Sequence, residues 1–302
     1  MANDQGPVVQ SALLRSELIR LRKESGLTQE QVAADLDWSP SKLIRVEGGR
    51  SSITKVDLDA LLTKYRVTSE SQRERLQALN RGARESRWWD SYREDVSSVY
   101  LNYVGYEMGA AFIRKFEAGF IPGLLQTPEY AEVLTANSVD AGRVAPVVRL
   151  RLQRQQKLAE RAAPPRQYYV LDEAVIRRHV GIHKDPVIMP NQLRHVADRA
   201  QHDDLVTVRV IPFRAGAHPG LSGPFTLLEF EGGMPDLLYI DIGRGTSSLV
   251  SGNDPVVAEY ADDFERLIEE ALSASESIEF ILSAAEEMSL KEGIFVSHVN
   301  FF

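Results

Sequence analysis

The 302-residue chain contains no cysteine, which removes disulfides, thiolate metal sites and cysteine nucleophiles together. It has no apolar run near the roughly 18 residues that cross a bilayer. Its first residues hold no basic cluster followed by an apolar stretch, so no membrane contact and no secretory leader are expected. No internal period of roughly 20 to 50 residues recurs, which excludes a repeat architecture. G-x-S-x-G, H-E-x-x-H and phosphate-loop patterns are all missing, so no catalytic residue and no cofactor are expected. His179 and His183 are four residues apart, but Gly181 lies between them and no acid-rich helix is near, so no metal site is expected. His218, in a Gly/Pro loop, reads as a turn histidine. The expectation is a cytoplasmic protein that is not an enzyme.

What remains is an ordinary globular composition, 43% hydrophobic and 26% charged, long enough for about two domains. The net charge of −8 taken alone argues against nucleic acid, but its distribution matters more than its total. Residues 1–93 hold 16 Lys and Arg against 13 Asp and Glu, and the rest hold 19 against 30. The first part is therefore basic and the larger second part acidic.

Residues 1–10 are polar with one Pro and one Gly, and read as a disordered lead-in. From Ser11, Leu14, Leu18 and Leu21 form one helical stripe, ended by Gly26. Thr28 and Gln31 have the spacing of a capping box that opens a short second helix with Val32, Ala33 and Leu36 inward. Asp37-Trp38 turns the chain. Ser39-Pro40 opens a third helix, Ser as N-cap and Pro in the first turn, with Leu43 and Val46 inward and Gly48-Gly49 closing it. Thr54 and Ser69 cap a fourth and a fifth helix. Residues 11–86 thus read as an all-α domain of five short helices.

Residues 87–290 mix types and read as a larger α+β domain. Trp88 and Trp89 read as core. Strands are expected at 111–116, 168–171, 206–212, 224–230 and 237–242, and helices at 143–161, 255–272 and 275–288. A cavity is expected near the Ile121–Ala131 turn and the His218 loop, where Gly and Pro permit close approaches beside Leu124, Leu125, Leu221 and Phe225. Residues 291–302 form a tail: Gly293 reads as a helix stop, and Ile294–Phe302 as a strand that docks on a sheet edge or across a dimer.

Residues 28–49 carry the functional signal. Two short helices share a buried face of Val32, Leu36, Leu43 and Val46, and Ala33 is small where they cross. Asp37 sits where the turn wants a positive φ, which Asp tolerates. This is the pattern of a helix-turn-helix. It leaves Ser39, Pro40, Ser41, Lys42, Ile44 and Arg45 on the outer side of helix 39–47. Hydroxyls, a Lys and an Arg at a helix N-terminus suit a phosphate-lined groove.

The run Thr28-Gln29-x-x-Val32-Ala33 through Arg45-Val46-Glu47-x-Gly49 resembles Cro/repressor-like regulators of the xenobiotic-response-element type, whose head is lambda-repressor-like. Arg87-Trp88-Trp89, Ile121–Ala131, Leu171-Asp172-Glu173, Gly216–Gly220 and Gly223–Thr226 resemble the actinobacterial, WhiJ-like members, whose C-terminal domain has no assigned biochemistry. The resemblance implies a regulator of development or secondary metabolism, often encoded beside a small partner protein. It also implies that Gln29 bonds a phosphate, that Ser41 and Arg45 face base edges, and that Arg22 and Glu47 form a buried pair. Pro40 departs from relatives with Gln there and offers a base no donor.

The expectation is a DNA-binding transcriptional regulator, a repressor and a homodimer on double-stranded DNA. Gln29, Ser39, Ser41, Lys42, Ile44, Arg45 and Arg50 meet the DNA, and the second domain is controlled by a small partner protein or a ligand. The alternative is an antitoxin-like interaction module whose main role is to hold a small partner.

Overall fold

The computed structural model describes residues 5–241, 247–252 and 254–299, with side chains described to residue 290. The chain divides into two compact units. One comprises residues up to Trp88 with Gly105–Gly109 and Phe230–Met234; the other comprises Trp89–Val104, Ala110–Glu229 and the chain from Pro235 on.

The first unit contains α1 (Gly6–Glu24), α2 (Gln29–Asp35), α3 (Pro40–Glu47), α4 (Lys55–Lys64) and α5 (Glu70–Gly82). Helices of seven to ten residues such as α2, α3 and α4 are marginal alone and depend on a buried face. That face is supplied by Leu14, Leu18 and Leu21 of α1, which meet Val32, Leu43, Val46, Leu58, Leu61, Leu62 and Leu76 in one core. The caps are as spaced in the sequence: Thr54 Oγ1 accepts from the Asp57 amide at 3.1 Å, and Ser69 Oγ from that of Gln72 at 3.4 Å.

The lead-in is a correction. Residues 6–10 are the first turns of α1, and Val8, Val9 and Gln10 are buried. A Cβ at Gly109 would stand 2.0 Å from the Gln5 carbonyl oxygen and 2.5 Å from Val9 Cγ2, so residues 105–109 lie flush against this turn. Gln5 Nε2 also donates to the Glu231 carbonyl at 2.7 Å. Contacts from residues a hundred and more positions away order a stretch that local composition leaves polar.

Downstream come α6 (Ser98–Glu107), β1 (Phe112–Glu117), α7 (Pro128–Ala136), α8 (Ala141–Ala159), β2 (Arg166–Asp172), α9 (Glu173–Arg177) and α10 (Ile188–His202). They are followed by β3 (Val206–Ile211), β4 (Phe225–Glu229), β5 (Leu237–Asp241), β6 (Ser247–Ser251), α11 (Pro255–Glu270) and α12 (Ala274–Val299). The strands form one sheet in the order β3-β2-β1-β4-β5-β6. The three on one side are parallel and joined by helical crossovers, and the rest are antiparallel. The protein is thus a helical head followed by an α+β unit. Phe116, Val170, Ile211, Phe225 and Leu227 pack with Phe264 and Leu267 of α11 on one face of the sheet. Alternate residues Ile113, Tyr169, Leu171, Val208 and Val210 are buried as well, so the sheet is covered on both faces.

The Ile121–Ala131 segment packs under α8 and α10: Gln155 Nε2 donates to the carbonyls of Gly123 and Gln126 at 2.8 and 3.0 Å, and Gln192 Nε2 to that of Leu125 at 2.6 Å. A cavity of about 220 Å³ borders Leu124, with Leu158, Pro164 and Leu205 among its walls. No residue of the His218 loop lines it, so it is not the shared cavity expected. His218 is instead buried, its Nε2 3.3 Å from Asp172 Oδ2. Gly220 beside it touches the Phe116 ring, where a Cβ would stand 2.2 Å away.

The tail is a second correction. α12 runs through Gly293 to Val299 as one helix, and residues 300–302 lie outside the described residues. Glycine costs a helix interior only about 1 kcal/mol, and elongation of a formed helix is easy. Strand propensity at 294–299 therefore does not decide the backbone.

Candidate nucleic-acid interface

Local chemistry sets the two helices. Thr28 Oγ1 accepts from the Gln31 amide at 3.2 Å and Gln31 Oε1 from the Thr28 amide at 2.9 Å, which satisfies two free donors of α2. Ala33 is fully buried, and its carbonyl accepts from the Trp38 amide at 2.8 Å. Asp37 adopts φ +52°, the left-handed turn expected of it.

Long-range contacts then lock α3. Glu47, at its last position, is buried and holds Arg22 in a two-pronged bond, Nε to Oε1 at 2.7 Å and Nη2 to Oε2 at 3.0 Å. The third arm of Arg22 donates to the Leu27 carbonyl at 3.0 Å, so one guanidinium ties α1, the α1–α2 loop and α3. The Glu47 bonds hold the Arg22 pKa above its ordinary value against the opposing pull of burial. Beyond Glu47, Gly49 has φ +71°, and a Cβ there would collide with the Arg15 guanidinium.

The exposed side of α3 carries Ser39, Pro40, Ser41, Ile44 and Arg45, with Arg50 exposed just beyond. Ile44 is 44% exposed, unusual for isoleucine on a packed helix. Among the described residues, the Arg45 and Arg50 side chains have no hydrogen-bond or ion-pair partner. Ser39 occupies the N-cap position, but its hydroxyl makes no capping bond and lies 3.2 Å from that of Ser41.

Two of the expected contacts are engaged inside the head. Lys42 Nζ pairs with Asp57 Oδ1 at 2.8 Å and sits 3.8 Å from the Trp38 ring centroid. Burial would raise the Asp57 pKa, but the bonds from Lys42 and Thr54 outweigh it and leave the carboxyl below its usual range. Gln29 Nε2 donates to Glu47 Oε2 at 2.7 Å. The residues seen as free from spacing thus separate into Ser39, Ser41, Ile44, Arg45 and Arg50, which are open, and Lys42 and Gln29, which are committed. Val56, next to Asp57 in the first turn of α4, is 77% exposed, and the sequence reading passed over it. The signal was a valine at a first-turn position, outside the Leu58-Leu61-Leu62 stripe.

Among the described residues no group of three His, Cys, Asp or Glu side chains is placed to hold a metal, and no helix is long and apolar enough to cross a membrane. This geometry is that of a helix-turn-helix DNA-binding domain, and the model of a helix-turn-helix domain matches residues 13–76. The larger part of the chain, residues 100–283, matches the model of a domain of unknown function, DUF5753. The chain belongs to that family. No curated protein and no solved structure gives a significant match.

Proposed function

We propose that the protein is a sequence-specific transcriptional repressor of the Cro/repressor-like, xenobiotic-response-element type, close to the actinobacterial WhiJ-like regulators of development or secondary metabolism. It acts in the cytoplasm as a homodimer that lays α3 of each head into the major groove of half-sites about one helical turn apart. The observation that carries the reading is the outer face of α3, where Arg45 is a free guanidinium beside an exposed Ile44. A guanidinium fork suits guanine O6/N7, and an apolar neighbour suits a thymine methyl. Control comes through the α+β unit by a small partner protein or a ligand. The test is a band shift of the full chain on its own promoter and on random DNA, at several salt concentrations. Equal affinity for both DNAs refutes sequence-specific regulation.

A second reading, a module whose main role is to hold a small partner, is favoured by one observation. Val144, Val148 and Leu152 of α8 line a groove of about 960 Å³ with Tyr92, the size and polarity that accept an amphipathic helix. Tight partner binding by a chain with no DNA preference would establish it.

A further inference from the structure

Protein interiors hold few voids larger than a water molecule, yet the second unit keeps a cavity of about 220 Å³. At about 30 Å³ per molecule it has room for about seven waters. It lies where the last turns of α8 and α10 meet the beginnings of β2 and β3. Leu124, Leu158, Pro164 and Leu205 line it with apolar surface, and Ala159, exposed at the end of α8, marks its mouth. The volume falls below the roughly 300 Å³ at which drug-sized sites begin, so an occupant is of fragment size.

Four polar side chains share the walls, Gln155, Gln167, Arg199 and Asp203, and the bonds they already make fix what each has left to offer. Gln155 Nε2 donates both hydrogens, to the carbonyls of Gly123 and Gln126 at 2.8 and 3.0 Å. A carbonyl oxygen only accepts, so this end of the amide is the NH2 and Oε1 is left as an acceptor. Gln167 is committed the other way round. Its Oε1 accepts from the Tyr169 hydroxyl at 2.6 Å, which leaves Nε2 as a donor. Neither of these two atoms has a hydrogen-bond partner among the described residues, and neither is fully enclosed. Arg199 and Asp203 close on each other, Nη2 to Oδ2 at 2.8 Å, and Asp203 Oδ1 accepts from the Leu205 amide at 3.0 Å. The charges in the wall are thus paired, and the open functions of the two glutamines are a neutral acceptor and a neutral donor.

We propose that this cavity binds a small uncharged carboxamide with a compact apolar body. The ligand carbonyl accepts from Gln167 Nε2, its N–H donates to Gln155 Oε1, and its body replaces water against Leu124, Leu158, Pro164 and Leu205. An ion is disfavoured because the two wall charges cancel: a carboxylate meets Asp203, and an ammonium meets Arg199. The binding goes beyond the regulator reading and does not rest on it; only a role for the ligand as the effector does.

The test uses the full chain and three probes of one shape. Cyclohexanecarboxamide is the ligand expected to bind; cyclohexyl methyl ketone replaces its NH2 by a methyl, and cyclohexanecarboxylate replaces it by a charged oxygen. Nuclear magnetic resonance titration should show saturable binding of the carboxamide, with shifts at Leu124 and in segments 155–167 and 199–205. The ketone should bind about tenfold or more weakly, since Gln155 Oε1 is then left without a donor, and the carboxylate no more tightly than the ketone. Gln167→Leu removes the donor to the carbonyl and should weaken carboxamide and ketone alike by about fivefold, so that their ratio stays. Gln156→Leu, on α8 but outside the cavity wall, should change neither. No saturable carboxamide binding, equal binding of carboxamide and ketone, tighter binding of the carboxylate, shifts that leave out the cavity, or wild-type affinities in Gln167→Leu each overturns the site. Should Gln167→Leu not fold, the three probes on the wild-type chain decide alone. None of these readouts involves DNA, so the site and the regulator reading fail separately.

Discussion

Arg22 in the head and Arg151 in the second unit are both half-buried, but among the described residues only Arg22 forms an ion pair. Arg22 meets both oxygens of Glu47, whereas Arg151 meets the amide oxygen of Gln126. The same contrast runs along α3, where Lys42 is closed by Asp57 and Trp38 while Arg45 stands open to solvent. A cation whose counter-charge is built into the chain holds the fold, because removing either partner strands a charge. A cation left unmatched is available to something outside the chain. The two kinds divide the labour: closed pairs shape the head, and open cations such as Arg45 stay available on its surface.

The largest effect expected is on the closed pair. Glu47→Ala should destabilise the head by about 3–5 kcal/mol, because Arg22 stays buried without its partner. Hydrogen exchange of the amides in α1 to α3 measures it, and wild-type protection would mean that the pair does not hold the head together. Next comes an open cation: Arg45→Ala should cost about 1–3 kcal/mol in specific binding and relax preference at one base pair per half-site. Competition experiments that show equal losses on specific and random DNA would reduce Arg45 to a phosphate contact.

Arg151→Met should cost less than Glu47→Ala, about 1–2 kcal/mol, because the neutral Gln126 Oε1 loses a donor but no ion-paired carboxylate is stranded. A drop in the urea midpoint as large as that of Glu47→Ala, with an unchanged slope, would break the comparison. The salt dependence of DNA binding sharpens it further. Arg50→Ala should lower the slope by about one per head, whereas Lys42→Met should leave it unchanged because Asp57 already neutralises that lysine. Equal changes would place Lys42 on the phosphates.

The smallest effect concerns Asp57. Its carboxyl is held below the ordinary value of 3.8 in the folded head. Its contribution is therefore complete above that value and lost as the pH falls through the lower folded value. Asp57→Asn should flatten the acid limb of head stability below about pH 4 and change little at neutral pH. Parallel acid limbs in the two proteins would show that the Lys42 pair contributes nothing.

Much of the head was legible because its signals span three or four residues. The Thr28–Gln31 box, the Ser69 cap, the small Ala33 and the positive φ of Asp37 are decided within one turn of chain, where composition and spacing act directly. The second unit was legible where strands are apolar, as in β1 to β5, but not in Ser-rich β6, Tyr-rich α6 or α10, whose first turn contains Pro190. Those elements take their conformation from the surfaces they cover, and propensity is a weak guide there. Arg154 was visible in principle as a charge on a leucine stripe, but the run around it read only as a charged helix.

The sequence by itself determined that a capped pair of short helices turns through Asp37 and presents Ser41, Ile44 and Arg45 on its outer side, because short-range hydrogen bonding and helical period leave no other arrangement. Tertiary structure alone decided which cations are closed and which are open. Lys42 finds Asp57 fifteen residues on, Gln29 finds Glu47 eighteen on, and Arg151 finds Gln126 twenty-five back. Tertiary structure likewise ordered residues 6–10 through Gly109 and Glu231. Charge pairing depends on distance in space and on shared burial, and neither is written in the local spacing of residues.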